Sequence, residues 1–160
     1  MPPANETVQD RIIANVLTTL AAIAGGSTYY TTVARVYEMK GNPLQSPEMP
    51  CAIVQHMGLD EKYGSIDTID CNLRLAVALC MPKDESGHWQ QLIRQLAEDA
   101  KRALRDDFGR GTFAGMQNAF DTYVEGTEVA NEADGFPIAL AQINVRIQFR
   151  HLFDDPTAAA

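Results

Sequence analysis

Adjacent carboxylates stand at Asp60-Glu61, Asp106-Asp107 and Asp154-Asp155. Acid–base work of the glycosidase kind needs two carboxyl groups facing each other across a cleft, whereas sequence neighbours in polar stretches are usually just solvated. His56, His88 and His151 each stand alone, with no spacing that would gather metal ligands. His88 reads as a helix-start residue, and His151 as a surface or interface residue that closes a strand beside Arg150. Cys51, Cys71 and Cys80 contain no CxxC pair. On one strand, Cys71 and Cys80 would point to opposite faces, so they could share neither a disulfide nor a metal; reduced structural thiols are expected. No GxSxG elbow occurs. The run Gly109 to Gly115 (GRGTFAG) lacks the GK[ST] of a phosphate loop and precedes a strand pattern, so a mobile glycine-rich loop is expected from Asp106 to Gly115. These residue types point to no catalytic group, no metal and no cofactor. An enzyme is not expected.

The elements that would position such residues are read from periodicity. Ala139, Ala141, Ile143, Val145, Ile147 and Phe149 alternate with Gln142, Asn144, Arg146, Gln148 and Arg150, which predicts a long strand within Phe136 to His151 with one face on a core. Leu73, Leu75, Val77, Leu79 and Met81 alternate in the same way and predict a sheet neighbour over Asp70 to Met81. Tyr29 to Tyr37 and Cys51 to Met57 read as two further strands, Asn118 to Val129 as another, and Gly58 to Asp67 as a polar hairpin excursion. A proline-punctuated loop falls between the first two. Val8, Ile12, Val16 and Leu20 trace an amphipathic helix that starts at a Thr7/Asp10 capping box and stops at Gly25-Gly26. Trp89, Ile93, Leu96, Ala100 and Leu104 trace a second helix, whose charged residues, Glu98 and Asp99 among them, read as a solvated face.

The expected fold is therefore α+β. One domain over 7–153 holds a five-stranded, largely antiparallel sheet with two helices packed on one face, in the order α-β-β-β-α-β-β. Residues 1–6 are expected to form a disordered lead and 154–160 a flexible tail. A chain of 160 residues suits one core. The formal net charge of −8, with scattered basic residues, argues against tight nucleic-acid binding. No apolar run approaches the roughly 20 residues needed to cross a bilayer, and Met1 to Asp10 lacks the order of a secretory signal, so the cytosol is the default expectation.

Taken in order, the opening helix, YYTTVARVYE, a proline-rich loop, PCAIVQHMG, CNLRLAVALCM, LIRQLAEDAKRAL and INVRIQFRHLFDDP resemble the tail terminator (tail-completion, or minor tail) proteins of tailed bacteriophages. The resemblance covers about Thr7 to Pro156 as an ordering of elements, without a catalytic signature. It implies a homo-oligomeric, hexameric ring that caps the tail tube protein, ends its polymerisation and offers a docking surface to the head–tail connector. DNA would pass through without tight binding, an acidic lumen repelling phosphates. Sheath protein would be a further partner in a contractile tail. The location implied is the virion tail or neck, with assembly in the host cytoplasm and no membrane contact. For the ring interface the candidates are Arg74, Arg146 and Arg150, meeting Asp60-Glu61 or Glu132 and Asp134 of the next subunit, because a closed ring joins two different patches. Candidate tube and connector contacts are Asp60, Glu61, Lys62 and Tyr63 at a hairpin tip, and Phe108, Arg110 and Phe113 in the glycine-rich loop. A head-side neck protein is the neighbouring alternative. A small ligand-binding domain or a peptide-binding adaptor is the alternative of another class.

Overall fold

The computed structural model describes residues 6–38, 48–84, 87–129 and 137–160. Helix α1 (Val8–Ala21) begins as its sequence dictates. Thr7 Oγ1 accepts the Asp10 amide at 3.1 Å and Asp10 Oδ2 accepts the Thr7 amide at 3.0 Å, so two orphan donors are satisfied reciprocally. Its stripe of Val8, Ile12, Val16 and Leu20 is fully buried. The helix stops at a cap on Ala22, three residues before the glycine pair, because Ile23 turns inward as part of the core.

The first strand is shorter than its composition suggests. β1 covers Arg35–Glu38 alone and runs parallel to β2 (Cys51–Tyr63). Residues 27–34 are turn and extended chain, because the amides of Tyr30 and Thr31 and the Thr31 hydroxyl are taken by the Asp99 carboxylate of α2 (Trp89–Asp106) instead of by a strand partner. β2 also departs from expectation by running straight through Asp60 to Tyr63; the turn to β3 (Thr68–Pro82) is Gly64 to Asp67. A bulge between His56 and Gly58 absorbs the irregularity. A side chain at Gly58 would come within 2.8 Å of the Arg74 guanidinium.

β3 and β7 (Ile138–Leu152) pair antiparallel along their whole length, from Thr68 opposite Leu152 to Pro82 opposite Ile138. β6 (Asp121–Val129) adds the far edge, giving the order β1-β2-β3-β7-β6. The sheet is mixed, antiparallel everywhere except β1–β2. The odd-numbered residues from Cys71 to Met81 and from Ala139 to Phe149 form one core with the apolar stripes of both helices. Each fully buried Leu, Ile or Phe there contributes about 1.5–3 kcal/mol relative to exposure. The fold is a single α+β domain with its helices on one side of the sheet.

Two segments expected to be mobile are ordered. Within Asp106 to Gly115 the chain forms a small hairpin, β4 (Thr112–Phe113) with β5 (Met116–Gln117), turned at Ala114-Gly115 where both φ angles are positive. The C-terminal residues fold back on β7: the Leu152 amide donates to Ala158 O, the Ala160 amide to Arg150 O, and the Val8 amide of α1 to Pro156 O. The tail thus caps both the last strand and the first helix. No helix among the described residues is long and apolar enough to cross a membrane.

Candidate functional site

The sheet face turned away from the helices carries the even-numbered residues of β3 and β7. Register sets its chemistry. Arg74 stands directly opposite Arg146, a like-charge pair that repels unless each charge finds a carboxylate. Each reaches outward to the neighbouring strand. Arg74 Nε lies 3.2 Å from Asp60 on β2, and Arg146 Nε lies 2.6 Å from Glu125 on β6. Arg150, directly opposite Asp70, is bonded to it at 2.5 Å. Aromatic rings complete the set: the Arg146 guanidinium lies 4.3 Å from the centre of the Tyr123 ring and that of Arg150 lies 5.2 Å from Phe120. Hydrogen bonding to Arg150 holds the Asp70 carboxyl below its usual range and lifts Arg150 in turn.

The three arginines expected at a subunit interface therefore share one face, and each already has a carboxylate partner in its own chain. Glu132 and Asp134 lie outside the described residues. Asp60 and Lys62 belong to this open face, opposite Asn72 and Asp70; Glu61 and Tyr63 turn to the helix-covered side. Tyr63 stacks on Phe153 with ring centres 5.8 Å apart, and Ile66 on the adjoining turn is 90% exposed. That end of the sheet is an exposed apolar patch.

Phe108 and Phe113 are exposed, as a contact surface needs, but Arg110 between them is wholly buried. Its guanidinium donates to Leu104 O at the end of α2, one of the carbonyls that a helix terminus leaves unpaired, while Nε and Nη1 have no hydrogen-bond partner among the described residues. Burial lowers its pKa, and Asp107 opposes that shift. Arg110 is a buried cap and cannot touch a partner.

Other polar side chains are buried in the fold. Asp99, expected on a solvated face, is 2% exposed. Arg11 is likewise buried, donating to Asn118 Oδ1, Glu6 O and Thr157 O at 3.1, 3.0 and 2.8 Å, with its guanidinium over the Phe113 ring. All three cysteines are free thiols in buried positions. Cys51 and Cys80 face each other across β2 and β3, and their mutual hydrogen bond, then burial, pushes the Cys80 thiol up. Together with Ala76 they form the one end of the open face that is buried.

Clefts are shallow. The depression on the open face lined by Lys62, Asp70, Asn72, Phe120, Gln148 and Arg150 holds about 170 Å³, below the roughly 300 Å³ of a small-molecule site. A wider cleft of about 410 Å³ between α1 and β1 has Arg35 as the single charged residue among its described lining, so the described residues bring no acid and base together there. The open-face arginines were legible as an alternating strand face; their partners were not, because Glu125 and Asp70 reach them through register alone. No protein-family model matches this chain, and no curated protein is significantly similar to it.

Proposed function

We propose that this protein is a non-enzymatic, ring-forming subunit of a tailed-bacteriophage virion, acting as the terminator collar at the end of the tail tube. The observation that carries the reading is the one-sided sheet: both helices shelter one face, and the opposite face presents an ordered ladder of arginines, carboxylates and aromatic rings. A long strand pair with a polar outer face suits a surface that joins copies of a chain. The patch of Tyr63, Ile66 and Phe153 offers a separate apolar surface for the tube or connector. The acidic net charge of the chain would let duplex DNA slide through such a ring without being gripped.

Mass in solution together with negative-stain imaging of the purified chain tests this. Closed rings with an opening of duplex width are expected, and a chain that stays monomeric at high concentration overturns the reading. Replacing Arg146 and Arg150 together by Glu sets like charges beside Glu125 and Asp70 and should dissolve the ring while the circular dichroism of the fold persists. Rings that survive the double reversal would place the subunit contact elsewhere.

A further inference from the structure

Three potential metal ligands far apart in sequence converge at one end of the helix-covered side of the sheet. Glu61 on β2 is directly opposite Cys71 on β3, and His151 on β7 is opposite Ile69, one diagonal step from Cys71. Because side chains alternate, Glu61, Cys71 and His151 share a face. A carboxylate oxygen of Glu61, Sγ of Cys71 and a ring nitrogen of His151 all lie within 4.8 Å of one another.

We propose that Glu61, Cys71 and His151 bind a zinc-class divalent cation. The ligand set is chemically selective: thiolate and imidazole suit a borderline-soft cation and disfavour magnesium or calcium, and one carboxylate with two such donors is a recognised zinc combination. Charge balances as well, since one carboxylate and one thiolate neutralise a divalent ion beside a neutral imidazole. His151 Nδ1 lies 2.7 Å from Leu152 O, and donation to that carbonyl fixes the tautomer that leaves Nε2 as the ligating nitrogen. Glu61 has no hydrogen-bond or ion-pair partner among the described residues, and the Cys71 sulfur has a single weak contact, 3.9 Å to Ile69 O, so neither must break a strong bond to turn inward. Glu61 is exposed, which gives the ion a path from solvent and leaves a fourth position for water.

The site stands independently of the collar reading. Its test is cobalt(II) titration of the full chain, reduced and stripped with a chelator, followed by zinc(II) competition. One cobalt per chain is expected, with a thiolate-to-cobalt charge-transfer band that zinc abolishes. Cys71→Ala should remove the band, and Glu61→Gln and His151→Gln should each weaken binding about tenfold or more. Absence of the band in the unmodified protein, or a band that persists in Cys71→Ala, overturns the proposal. Glu61 lies at the surface, where substitution spares the fold; unchanged cobalt affinity in Glu61→Gln overturns it too, whatever becomes of the buried variant.

Discussion

Arg11 and Arg110 lie buried where α1, the β4–β5 hairpin and the C-terminal segment gather, whereas Arg74, Arg146 and Arg150 stand on the open face of the sheet. The same side chain does different work in the two places. In the buried region a guanidinium has lost its water and is held by carbonyl oxygens and one amide oxygen, so each missing bond leaves a desolvated group unpaired. On the open face the partners are carboxylates in contact with solvent, which screens their attraction and replaces it readily when it is lost. Arginines that hold the fold together are thus separate from the arginines of the solvent-facing sheet surface. That division would suit the proposed ring subunit, whose contact surface could change without unfolding it.

The contrast can be broken by substitution. The largest effect is expected from Arg11→Met, which strips three acceptors on three separate segments and should cost about 3 kcal/mol in urea unfolding. Asp99→Ala should follow at about 2 kcal/mol, since it orphans the Tyr30 and Thr31 amides, and amide exchange at those two positions should accelerate. Arg110→Met sharpens the comparison within the buried set. Two of its guanidinium nitrogens are already unpaired, so an apolar side chain of similar length should change stability by no more than about 1 kcal/mol. A loss as large as that of Arg11→Met would mean the Leu104 cap carries far more than one bond.

On the open face, Arg74→Ala should cost less than about 1 kcal/mol, because this pair is more than half exposed; a thermal-unfolding series in rising salt should erase most of the difference. The smallest effect is one of pH. The Asp70 carboxyl is depressed in the folded chain, so its stabilisation is present above the unfolded carboxylate pKa of about 4 and is lost as pH falls through the folded value. Solvent screening keeps the change small. Asp70→Asn should lower the melting temperature slightly at neutral pH, flatten the acid limb of the profile and converge with the unmodified protein at low pH.

Much of the frame was legible before any coordinates. Alternation over Leu73 to Met81 and Ala139 to Phe149 located the two central strands, and the Thr7/Asp10 box located the start of α1. Strand composition misled at Tyr29 to Ala34, where Asp99 captured the amides that a ladder would have used. Glycine content misled at Gly109 to Gly115: it marked a tight turn, and the arginine within it became a helix cap.

Sequence by itself determined which residues alternate, which faces are apolar and where the helices lie, since these follow from the local geometry of a helix or strand. Tertiary structure alone decided that Glu61, Cys71 and His151 would meet, that Arg74 would oppose Arg146 and each be drawn to its own carboxylate, and that the C-terminal residues would seal α1. Those outcomes depend on strand register and on which distant segments exclude water from one another, and neither is written in the spacing of any single element.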